Sequence, residues 1–71
     1  MSDPTIADLE RAVRKAKRIA AERAGELHDL VEERLPAAFD EIPGIAQATY
    51  DACQSWAQAE ARLQAALSAA G

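Results

Sequence analysis

A chain of 71 residues allows one small domain, and because 18 of its 35 apolar residues are alanine, only a few large side chains per element remain to be buried. A single core at this size rarely supplies more than ~3–5 kcal/mol, and the lone cysteine, Cys53, excludes an internal disulfide, so association with a second chain is the expected source of further stability. The formal charge of −4 conceals an asymmetry, with six basic and four acidic residues at positions 1–23 against two basic and eight acidic at 24–71, so the net charge does not imply a wholly acidic or basic partner.

The opening Met1-Ser2-Asp3-Pro4 lacks the basic and apolar regions of a signal peptide. No apolar run approaches the ~18–20 residues that span a bilayer, and an unpaired thiol suits a reducing compartment. The expected location is the cytoplasm, away from membranes.

Asp3 is suited to accept from free backbone amides at a helix start, and Pro4 to occupy the first helical position. The first helix is predicted over about residues 4–34. Ile6, Leu9, Val13, Ala16, Ala20, Arg23, Leu27, Leu30 and Arg34 then recur at spacings of three and four, the pattern of a buried helical seam. Ala12, Ile19, Ala24 and Val31 widen that seam to the breadth of a helix packed in a bundle. Leu35-Pro36 closes it, because proline disfavours helix at the preceding residue and has no N–H to donate.

A hinge is predicted at 35–40, with Phe39 plugging the hairpin end, followed by a second helix over about 41–68. Asp40 is the expected cap, and Pro43 is tolerated in the first turn. The second seam reads Ile42, Ile45, Ala46, Thr49, Ala52, Cys53, Trp56, Ala59, Leu63, Ala66 and Leu67. The connection is short enough to force the two helices antiparallel. The predicted fold class is therefore all-α, an antiparallel two-helix hairpin that dimerises into a four-helix bundle and so buries the face each hairpin leaves open. A hairpin that completes itself on a different protein is the open alternative.

Chemistry is sparse. His28 and Glu32 stand at i and i+4 on the outer face of the first helix, a spacing that lets imidazole and carboxylate reach one divalent ion. Asp29 and Glu26 could supply further oxygens from the other side of that face. Two or three ligands on one helix fall short of a tight site, and a solvated face is the plain alternative. Glu32 and Glu33 also lie in the last turns of the helix, where the macrodipole disfavours each exposed negative charge by ~0.3–1 kcal/mol; a cation or a basic partner surface would relieve this, and Arg34 relieves part of it. Cys53 reads as a small core thiol. Trp56 reads as an interface anchor. Arg23, at a seam position, either snorkels to solvent or pairs with a carboxylate across a dimer. The cluster Arg11, Arg14, Lys15, Lys17 and Arg18 could attract phosphates, but no aromatic residue is interleaved for base stacking, and Asp8 and Glu10 dilute it. There is no glycine-rich phosphate loop and no paired nucleophile and histidine, so no catalysis is expected.

The runs Glu26-Leu27-His28-Asp29-Leu30-Val31-Glu32, Leu35-Pro36 and Ile45-Ala46-Gln47-Ala48-Thr49-Tyr50-Asp51-Ala52 resemble the small two-helix proteins encoded in bacterial nitrogen-fixation gene clusters, a family built like the Rop RNA-binding repressor and often described as metal-binding. The resemblance implies a dimerising helical hairpin in an accessory role near nitrogenase, partnered by a nitrogenase component or maturation protein. It assigns a divalent transition metal (iron, nickel or zinc) to His28, Asp29 and Glu32. Two acids after Val31, and Arg34 before Leu35, depart from the tighter spacing to Leu-Pro expected in that family. With Trp56, Glu33 and Arg23 as partner contacts, the resulting expectation is a non-enzymatic protein that binds a metal, docks on a nitrogenase-related protein, or does both. The rivals are a metal-free interaction module and a Rop-like nucleic-acid binder using Arg14, Lys15, Lys17 and Arg18.

Overall fold

The computed structural model describes residues 4–70. Helix α1 (Ile6–Asp29) continues into one π-helical turn (Leu30–Arg34), the chain reverses at 35–38, and a 3-10 turn (Phe39–Glu41) leads into α2 (Ile42–Ala70). The two helices lie along each other as a hairpin. This is the expected all-α architecture.

Asp3 lies outside the described residues, and the cap that is seen is Thr5. Its hydroxyl accepts from the Asp8 N–H at 3.1 Å, while the Asp8 carboxylate accepts from the Thr5 N–H at 3.2 Å, so two orphan amides of the first turn are satisfied reciprocally. The Thr5 backbone amide above all, then its hydroxyl, with Arg11 adding to both, holds the Asp8 carboxyl below its ordinary 3.8. A carboxyl whose pKa falls on folding stabilises the fold above its unfolded value and loses that contribution as pH drops through the folded one. Thr5→Ala is expected to cost about 1 kcal/mol, read from urea unfolding at neutral pH. Because alanine keeps the backbone N–H, only the hydroxyl's share of the pH dependence is lost, and that share should fade below the 3.8 of a free carboxyl.

At the other end of α1 the Leu35 N–H donates to the Leu30 carbonyl at 3.1 Å, closing a widened turn one residue longer than an α-helical one. Pro36 has no N–H with which to continue the ladder, and the Leu35–Pro36 peptide is cis. Asp40 does not cap α2, because it sits inside the 3-10 turn that precedes it. Phe39 does not plug the hairpin end either: it is 68% exposed, whereas Leu30 is completely enclosed. Ala38 is the half-buried residue of this turn, and a 3-10 step of about 120° carries its successor away from the interior.

The side of α2 that meets α1 is the line Ile45, Ala48, Ala52, Ala59, Leu63 and Ala66, half-buried or buried throughout. Cys53 is one residue beyond this line, about 100° around the helix, and is exposed rather than inward-facing. Ala46 is exposed for the same reason. The Thr49 hydroxyl lies 2.9 Å from the Ile45 carbonyl and 3.2 Å from the Arg23 carbonyl on α1. That reach requires close approach of the two helix backbones at this level.

Leu30 and Leu63 are the only buried apolar side chains among the described residues, Leu30 completely and Leu63 at 8% exposure. The hairpin measures 52 × 22 × 15 Å. It exposes 5348 Å², about 1,000 Å² more than the roughly 4,300 Å² of a compact monomer of this mass.

Candidate functional site

The hairpin presents three distinct surfaces, the first of them at the hinge end. His28 Nε2 lies 3.9 Å from Glu32 Oε1, one turn along α1, and Nδ1 lies 3.8 Å from Asp29 Oδ1. The imidazole therefore stands between two carboxylates, one at each ring nitrogen. Both separations exceed hydrogen-bond distance, so the two carboxylates flank the ring without fixing it. All three side chains are largely exposed, and among the described residues no three His, Cys, Asp or Glu side chains converge on one point. Glu33 is exposed beside them, and Arg34 reaches across the hinge to Glu41 at 3.9 Å. Arg23 snorkels, donating to Glu26 at 2.7 Å on its own helix.

The second surface is apolar. Ile42, Ala46, Cys53, Trp56 and Leu67 fall along one exposed line of α2, and Ile42, Trp56 and Leu67 are 36–44% exposed. Val31, exposed on the turn that ends α1, adds to the apolar surface of the hairpin. The single second seam expected from the sequence thus divides into two lines about 80° apart: one meets α1, and the other is unpartnered in a single hairpin.

The third surface is basic. Arg11, Arg14, Lys15 and Arg18 surround a hollow of about 410 Å³ on the outside of α1. Lys17 is not among its lining residues, because a helix sends positions 17 and 18 in directions 100° apart. The expected basic cluster is thus narrower by one residue.

A two-helix hairpin with two buried side chains and an open apolar line defines a class of small all-α hairpin proteins. A family profile described as Rop-like matches residues 4–68, and the chain belongs to the Rop-like family. No curated protein and no solved structure matches it. No helix among the described residues is long and apolar enough to cross a membrane.

Proposed function

We propose that this protein is a non-enzymatic accessory protein of nitrogen fixation, a helical interaction module that works as a homodimer and docks on a nitrogenase component or maturation protein. The observation that carries the interaction role is the exposed line Ile42–Trp56–Leu67. Tryptophan at the centre of an apolar strip, with small residues around it, is the composition of an interface anchor and not of a solvated face. A second hairpin laid on that line gives the four-helix bundle. The link to nitrogen fixation rests on the resemblance carried by residues 26–32, 35–36 and 45–52. It predicts that the tagged protein, expressed in nitrogen-fixing cells, captures a nitrogenase-related protein; capture of none, with expression indifferent to nitrogen supply, would remove the assignment.

A divalent ion, if carried, would be held by His28 Nε2 and Glu32, with Asp29 beside the other ring nitrogen. That donor set suits a borderline transition ion such as iron, nickel or zinc, but supplies two ligands where a closed structural site has four. Water or a second chain would have to complete it, so the ion is expected to be exchangeable and strongly pH-dependent. Titrating metal-free protein with each ion should show binding at least about tenfold weaker in His28→Ala, a loss in line with removal of one ligand or its support. Affinity no stronger than micromolar, or unchanged by the substitution, would favour the second reading, a metal-free interaction module, to which the short ligand set already points.

A further inference from the structure

We infer that the flank of the hairpin opposite the Trp56 line is a docking groove for an acidic amphipathic helix of a partner protein. The inference deepens the interaction-module reading and rests on it. Ala12, Lys15, Ala16 and Ile19 of α1 and Ala52 and Ser55 of α2 line a hollow of about 230 Å³ between the helices. Ser55 and Trp56 lie on opposite sides of the Ala52–Ala59 line, since successive residues are 100° apart; a second copy on the Trp56 side leaves this hollow open.

The hollow adjoins the basic one, and Lys15 lines both. Of the four cations only Arg11 has a carboxylate partner among the described residues, Asp8 at 3.4 Å. Lys15 therefore stands on the lip of the apolar trough, with Arg11 and Arg18 on the next strip of α1, and neither Lys15 nor Arg18 has a carboxylate partner among the described residues. Arg11, Lys15 and Arg18 rise in steps of about one turn, ~5–6 Å, the interval at which carboxylates at i and i+4 recur along a neighbouring helix. Such a helix also projects apolar side chains at i, i+3 and i+4 into the trough. It uses both halves of the site at once. A single-stranded nucleic acid would use the cations alone, because no aromatic side chain lines either hollow to stack its bases.

The test is fluorescence anisotropy of the full chain with a synthetic amphipathic peptide bearing leucines on one face and glutamates on its flanks, against the same peptide with lysines for glutamates. Ser55→Trp fills the trough at an exposed position, and Lys15→Glu with Arg18→Glu reverses its edge; circular dichroism and sedimentation check that helicity and association are unchanged. The expected result is saturable binding of the glutamate peptide, weakened tenfold or more by each variant and in the lysine peptide. No saturable binding below about 1 mM, equal binding of both peptides, tighter binding of a single-stranded RNA oligonucleotide or of phosphatidylglycerol vesicles, or a change of association state in Ser55→Trp would each overturn it. Capture of a nitrogenase-related protein that persists in these variants would sink the groove alone and leave the functional reading standing.

Discussion

Trp56→Glu is expected to leave the chain monomeric and largely unfolded at micromolar concentration. The indole sits in the middle of an apolar line whose other large members, Ile42 and Leu67, are 39% and 44% exposed in a single hairpin. Buried anchors of this kind cost upwards of about 2 kcal/mol when truncated, and a carboxylate adds the penalty of an unpaired charge held against apolar neighbours. At 1.4 kcal/mol per decade, even the truncation term weakens association about thirtyfold. Folding is coupled to association in so small a core, so helicity should fall with it. Sedimentation equilibrium and circular dichroism, recorded over a concentration series, check both effects together. A variant that keeps the mass and helicity of wild type would mean that the Trp56 line is not the interface.

Leu30→Ala should be comparably severe by a different route. Leu30 is completely enclosed at the widened turn that ends α1, and Leu63, at 8% exposure, is the only other buried side chain among the described residues. Removing a buried leucine costs ~2–5 kcal/mol through lost transfer energy and the cavity left behind, against the ~3–5 kcal/mol that one small core supplies. The variant is expected to lose its cooperative urea transition at low concentration and to regain part of it at high concentration by mass action. Phe39→Ala is the matched contrast: a larger apolar side chain, but 68% exposed, and so expected to change stability by no more than about 0.5 kcal/mol. If the two substitutions cost the same, the placement of the hinge-end core is wrong.

The contrast between Leu30 and Phe39 also marks how far the fold could be read from residue order. Heptad spacing and the Leu35-Pro36 break are local signals, and they located both helices and the hairpin. Facing within α2 depended on something less local. Alanine makes up so much of that helix that apolar residues occur on most of its sides, and periodicity could not tell the line that meets α1 from the line 80° away that carries Trp56 and Cys53. The hinge was misread for a related reason: one extra residue in the last turn of α1 and a tighter step after Ala38 rotate Phe39 and Asp40 away from their expected places, and neither is visible in a hydrophobic pattern. Among the candidate site residues, the i, i+4 approach of His28 and Glu32 comes from helix geometry alone. That Asp29 lies beside the opposite ring nitrogen required coordinates. The groove at Ala12, Ile19 and Ser55 had no signal strong enough to find, because small residues on a helix announce nothing until a second helix lies beside them.

Sedimentation equilibrium of the wild-type chain under dilute conditions, with helicity followed in parallel, tests the central claim most directly. An assembly of twice the 7.6 kDa chain mass, losing helix as it dissociates, is the predicted result. A stable, fully helical species at 7.6 kDa would contradict it, since the Ile42–Trp56–Leu67 line would then be open to water in the folded protein without penalty.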